Sequence, residues 1–179
     1  MSHALEAHPE SRAPAISQIT AAAARTEGGL AVTYRLTGAT GALRIPALAP
    51  AARGDELWRH TCFEVFVMTA NDGGYDEFNF APSAQWAAYR FSAYRAGMRP
   101  LEIAPPAIET RIEPDLMEMR VRFGAPDWPA WAPWRLALSA VIEDADGVKS
   151  YWALAHPFGR PDFHHAHSFA LILPAPEPA

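Results

Sequence analysis

Short runs in which apolar and polar residues alternate, interrupted at close intervals by glycine and proline, fill the chain from Ile16 to Leu173. The densest lies between Leu57 and Tyr94. From Thr61 to Met68 the odd positions Phe63, Val65 and Val67 are apolar and the even ones, Cys62, Glu64, Phe66 and Met68, are mixed. That period of two predicts a strand whose side chains point to opposite sheet faces. Asn71-Asp72-Gly73-Gly74 can supply the positive φ angles of a hairpin, after which Tyr75, Glu77 and Asn79 share one face and Phe78 and Phe80 the other. A break at Pro82-Ser83 precedes a third strand, Gln85 to Tyr94, in which Trp86, Arg90 and Tyr94 alternate with Gln85, Tyr89 and Phe91. If the polar faces coincide, Glu64, Glu77, Asn79, Trp86 and Arg90 gather on one surface.

The same reading predicts an opening hairpin, Ile16 to Arg25 with Leu30 to Thr37 around Glu27-Gly28-Gly29. The Ala21 to Ala24 run could be helical, but it is short and lacks the charged face of an exposed helix. Residues 37–54 and 96–106 read as loops rich in proline and glycine, the first with a short strand at Ala42 to Ile45. Ile108 to Ile112 and Leu116 to Phe123 flank a Pro114-Asp115 turn, and Trp134 to Ile142 with Val148 to Ala155 flank an acidic one. A final strand runs from Ser168 to Leu173. About ten strands joined by turns point to an all-β fold, a two-sheet antiparallel β-sandwich.

Length fits one domain, expected over residues 14–174, with a flexible tail over 1–13 and a frayed end over 175–179. No apolar run approaches the roughly 20 residues that cross a bilayer as a helix, and Met1 to Pro14 lacks the basic start and apolar middle of an export signal. A single cysteine, Cys62, fits a reducing compartment, so a cytoplasmic location is expected. The net charge of −5, with arginines scattered singly, argues against nucleic acid as a partner.

Leu57-Trp58 through Met68, the stretch Tyr75-Asp76-Glu77-Phe78-Asn79-Phe80-Ala81-Pro82-Ser83 before Trp86-Ala87-Ala88-Tyr89, and Tyr151-Trp152-Ala153-Leu154 with His156-Pro157 and Pro161-Asp162-Phe163-His164-His165 together resemble the DOMON-like proteins. These are ligand-binding β-sandwiches related to family 9 carbohydrate-binding modules. The likeness spans most of residues 15–173; the first two motifs are similar to the sandwich core, the third to a bacterial subgroup for which no activity is established. It implies a sandwich that binds a ligand.

No motif fixes a catalytic group: there is no glycine-rich phosphate loop, no Gly-x-Ser-x-Gly elbow and no His-Glu-x-x-His helix. Cys62 reads as a small buried thiol. A saccharide demands a flat aromatic surface for its apolar face and planar polar groups for its hydroxyls. Trp58, Trp86 and Trp152, with Glu64, Glu77, Asn79, Arg90 and Arg120, supply those types. The resemblance adds that family 9 modules hold a sugar between tryptophans. The plain structural alternative is that Trp86 and Trp152 are core residues and that Glu77 with Arg90, or Glu64 with Arg120, pair across strands.

Two further readings stand beside a non-catalytic binder of a small polar ligand such as a saccharide. His164, His165 and His167 are candidate zinc ligands, since His165 and His167 project to one side of an extended segment; in a turn they would instead bond to backbone and pack on His156 and Trp152. Some DOMON-like relatives bind b-type haem through methionine and histidine, which the resemblance extends to Met98 with His156 or His165. The segment Pro126 to Pro133, rich in proline and tryptophan, reads as a lid or a packing plug, and Asp127 to Trp134 as a contact for a protein partner.

Overall fold

A computed structural model describes residues 1–11, 15–69, 73–124 and 127–176. The Asn71-Asp72 half of the expected turn and the tip of the C-terminal end lie outside the described residues. Strands β1 His3–Ala7, β2 Ile16–Thr26, β3 Gly29–Gly38, β4 Ala52–Arg53, β5 Cys62–Met68, β6 Tyr75–Phe80, β7 Gln85–Phe91, β8 Arg99–Pro100, β9 Ala107–Glu113, β10 Leu116–Gly124, β11 Trp134–Glu143, β12 Lys149–Ala153 and β13 Leu171–Leu173 follow in chain order. Among the described residues the only helical pieces are single 3-10 turns, so the protein is all-β, and Ala21 to Ala24 lies within β2.

Hydrogen-bonded neighbours follow one path, β4-β7-β6-β5-β11-β12-β1-β2-β3-β10-β9, with β13 beside β11 and β8 beside β7. All these pairings are antiparallel except that of β4 with β7. The ladder is therefore one curled sheet with two halves. The join is β1, which pairs with β12 at Glu6↔Ala153 and Ala7↔Trp152 and with β2 at His3↔Ala21, Ala4↔Thr20 and Leu5↔Ile19. This corrects the reading of residues 1–13 as a tail outside the fold. Leu5 is buried and its strand is bonded on both sides, although five residues with one aliphatic side chain longer than alanine give no periodic signal.

The curl lays β2, β3 and β10 over β5, β6, β7 and β11. Between them lies the main core: Tyr34, Leu36, Met119 and Phe123 from one side meet Phe63, Val65, Phe78 and Leu138 from the other. Phe78 and Phe123 ring centroids are 4.6 Å apart, and the Tyr34 hydroxyl donates across the core to the Glu64 carbonyl at 2.7 Å. Each such fully buried side chain stabilises the fold by about 1.5–3 kcal/mol relative to exposure. Gly29 faces Gly124 where β3 and β10 meet, and a Cβ there would stand 2.1 Å from the Phe123 carbonyl oxygen, so only glycine fits the close approach.

The opposite face of β5, β6, β7, β11 and β12 carries a second buried cluster, Phe66, Tyr75, Tyr89, Phe91, Val141, Phe163 and Phe169 among them. Phe163 and Phe169 reach it from the C-terminal segment, which covers part of that face and leaves the rest open.

Candidate functional site

The open part is a cleft of about 570 Å³, within the range of small-molecule sites. Strand register decides what lines it. Glu64 of β5 lies opposite Asn79 of β6, and Phe66 opposite Glu77, so Glu64, Glu77 and Asn79 share one face as the sequence predicts. Glu64 is also opposite Ser139, and Val141 opposite Tyr151, which extends that face over β11 and β12. Glu64 and Glu77 form the floor; Phe91, Val141, Tyr151 and Phe163 supply apolar wall; Trp58, Arg59, Met98 and Lys149 also line it.

Both floor carboxyls are buried, Glu64 at 4% and Glu77 at 5% exposure. Burial pushes Glu64 well above the usual carboxylate range, and the neighbouring Glu77 charge adds to it, against partial relief from Arg95. Burial raises Glu77 to about 7, although the Asn79 side-chain amide donates to its Oε1 at 2.7 Å and Arg95 also favours the charged form. Glu64 Oε1 is buried without a hydrogen-bond partner. An acceptor removed from water and left unpaired costs free energy that an incoming donor would recover.

His164 closes one side. Its Nδ1 lies 2.8 Å from the Tyr75 hydroxyl, and its Nε2 lies 3.8 Å from Glu77 Oε2, too far for a hydrogen bond. Burial, reinforced by the Arg95 charge, lowers the imidazole to about 4, so it is neutral at physiological pH. Arg95 is held by its surroundings: its backbone sits at φ 54°, its N–H donates to the Tyr75 hydroxyl at 3.1 Å, and its guanidinium pairs with Asp162 at 2.8 Å. A positive φ at a non-glycine residue costs of order 1 kcal/mol or more, and this network holds it.

Trp58 stands on the 3-10 turn Leu57–Arg59, 37% exposed, edge-on to the Tyr89 ring at 6.2 Å. It presents a partly open indole to the cleft. Of the eight ligand-binding candidates, Trp58, Glu64 and Glu77 line the cleft, and Asn79 lies fully buried beneath it, bonded to Glu77.

The other four lie elsewhere. Phe80 pairs with Trp86 and Glu77 with Tyr89, so odd positions of β7 share the face of Glu77, and Trp86 and Arg90 point the other way. Trp86 and Trp152 are buried in the main core. Arg90 binds Asp76 through Nε at 2.6 Å and also reaches Asp127, so the expected Glu77–Arg90 pair is replaced by Asp76–Arg90. Arg120 is exposed on β10 and pairs with Glu118 at 2.7 Å, not with Glu64.

The histidines part company as well. His165 and His167 line a second surface pocket with Tyr94 and Phe158; it shares Arg95 and Pro161 with the cleft, which of the three histidines only His164 lines. Their segment is a turn, with the His167 N–H donating to His165 Nδ1 at 3.2 Å, and among the described residues no three His, Cys, Asp or Glu side chains are arranged to hold a metal ion. Met98 lines the cleft, but neither His156 nor His165 does; His156 Nε2 bonds to the Glu6 carbonyl at 2.9 Å. Trp128, in the segment Asp127 to Trp134, packs on Phe78 and Trp134 and donates to Asp76 at 2.8 Å, the behaviour of a plug. Cys62 is fully buried, and burial with the nearby Glu64 pushes its thiol well up.

Sequence reasoning did not single out Tyr151, Lys149, Phe91 or Arg95 as site residues. Tyr151 and Lys149 were within reach, because alternation puts them on one side of β12 and Ser150 and Trp152 on the other. Phe91 and Arg95 were not, since the place of each depends on a turn.

No family model matches the chain, and no curated protein matches it. Solved structures do. A candidate carbohydrate-binding protein from Bacteroides uniformis superposes with a TM-score of 0.68 at 13% identity, covering 94% of this chain and 83% of that one. A family 9 carbohydrate-binding module from Caldicellulosiruptor kristjanssonii, in complex with glucose, superposes at 0.50 with 12% identity, covering 87% of this chain and 76% of that one. The chain thus shares an all-β, carbohydrate-binding-module-like fold.

Proposed function

We propose that the protein binds a small saccharide in the cleft over β5, β6 and β12 without reacting it, acting in the cytoplasm and needing no cofactor. The convergence of two buried carboxyls, one with an unpaired oxygen, with aromatic walls and a half-open indole carries this reading. A sugar has the matching surfaces: hydroxyls to donate to Glu64 and Glu77, and an apolar ring face to lie on Trp58, Phe91 or Tyr151. The pre-formed walls lower the ordering cost of binding. The fold shared with proteins named for carbohydrate binding agrees with it. The curled sheet, with two packed halves bridged by β1, also supports reading the architecture as a β-sandwich related to the DOMON-like proteins.

Isothermal titration with neutral monosaccharides, glucose first, tests the proposal. Saturable binding to one site is expected, and Trp58→Ala and Glu77→Ala each weaken it by roughly tenfold or more, as truncating a central contact does. The sugar should be recovered unchanged after prolonged incubation. Absence of binding across neutral, amino and acidic monosaccharides contradicts the reading, as does binding that neither variant affects.

A further inference from the structure

Resting on that reading, we infer that the saccharide the cleft takes is an amino sugar, whose protonated amine sits against Glu64 and Glu77. Two carboxyls from adjacent strands are buried together at the bottom of an open cleft, and the Glu64 Oε1 atom has no partner. Buried carboxylates are paired with cations or kept neutral. Of the neighbouring groups that could supply the charge, all but Lys149 are neutral or engaged, and Lys149 makes no ion pair with either carboxyl.

From β7, Tyr89 stands opposite Glu77, and its hydroxyl donates to Asp55 at 2.7 Å. On β5 itself the neighbour is the Cys62 thiol, kept protonated by burial. From β6, Asn79 donates one neutral hydrogen bond to Glu77, and the Tyr75 hydroxyl faces His164. From the core side, Tyr34 bonds to the Glu64 backbone and not to its carboxyl. His164 is neutral, and Asp162 beyond it holds Arg95 at 2.8 Å. Arg59 at the mouth pairs with Glu56 at 2.7 Å. Lys149 on β12, which makes no ion pair among the described residues, is the one cation left in the lining, and it faces the cleft from the strand beyond β11. The missing partner of the floor is therefore a cation that arrives with the ligand.

An ammonium satisfies this demand as a hydroxyl does not: it donates up to three hydrogen bonds and restores the charge that burial suppresses. The aromatic walls add attraction for a cation near their faces. Binding shifts the carboxyls towards their ionised forms, so at pH 6, below the raised value of Glu77, it releases protons to the buffer.

The test is titration calorimetry at pH 6 with glucosamine, glucose and N-acetylglucosamine, repeated in two buffers of different ionisation heat. Glucosamine should bind at least tenfold more tightly than glucose or N-acetylglucosamine, with a buffer-dependent heat that reports proton release. In Glu64→Gln the glucosamine-to-glucose ratio should fall by about tenfold, and in Lys149→Met, where a competing cation is gone, it should not fall. Equal affinity for glucose and glucosamine overturns the amino-sugar assignment while leaving saccharide binding intact. Failure of all three sugars to bind overturns the amino-sugar assignment, and failure of acidic monosaccharides as well overturns saccharide binding with it.

Discussion

At the scale of single residues, the cleft sets two titrations against each other. Glu77 is raised to about 7 in the folded protein from an ordinary value near 4.5, so the unfolded chain loses that proton first, and stability falls as pH rises between these values. His164 is lowered to about 4 from 6.5, so the unfolded chain gains that proton first, and stability falls as pH drops from 6.5 to about 4. Each effect is limited to roughly 3 kcal/mol, and together they flatten the profile between pH 4 and 7. Replacing one partner unmasks the other. Denaturant unfolding of Glu77→Gln should show less stability at pH 5 than at pH 7 relative to wild type, and His164→Phe the reverse. Identical pH profiles in all three proteins would contradict the buried placement of both groups. Glu64→Gln should be more stable than wild type above pH 7, because it removes the cost of a buried, unpaired acid.

Among elements, β1 and β7 show what was legible and what was not. The central strands, the opening hairpin and the β11–β12 hairpin follow from alternation and turn residues, so the mixed polar face of Glu64, Glu77 and Asn79 was readable from the residue pattern alone. Face assignment across β7 was not. Whether Trp86 or Tyr89 sits beside Glu77 depends on how the four residues Ala81 to Ala84 turn, and a register change by one residue inverts the whole strand. Ala84 turns there at φ 72°, which an alanine does not announce. β1 was illegible for a different reason: its stability comes from pairing with β2 and with β12 far along the chain, and from one buried leucine, which leave no local pattern. Because Leu5 packs in the main core, Leu5→Ala should cost about 2–4 kcal/mol. For a chain of this size that lowers the melting temperature by roughly 5–15 °C. A shift below about 2 °C would show that β1 is not docked.

For the whole molecule, the curl separates the work of its two faces. The inner face is filled by aliphatic and aromatic side chains from both halves and holds the fold together, which is where Trp86 and Trp152 belong. The outer face of β5, β6, β7, β11 and β12 is only partly covered, by the C-terminal segment bearing Phe163, His164 and Phe169, and the uncovered part is the cleft. Substituting a core tryptophan should thus lower stability, whereas substituting Trp58 should lower affinity. The measurement that tests this division most directly is a backbone amide NMR titration with glucosamine, alongside glucose. Saturable shift changes are expected centred on Trp58, Glu64, Glu77, Phe91, Tyr151 and His164, with the amides around Arg120 unmoved. Changes centred instead around Arg90 and Asp127, or around His165 and His167, would contradict the assignment of the cleft as the ligand site.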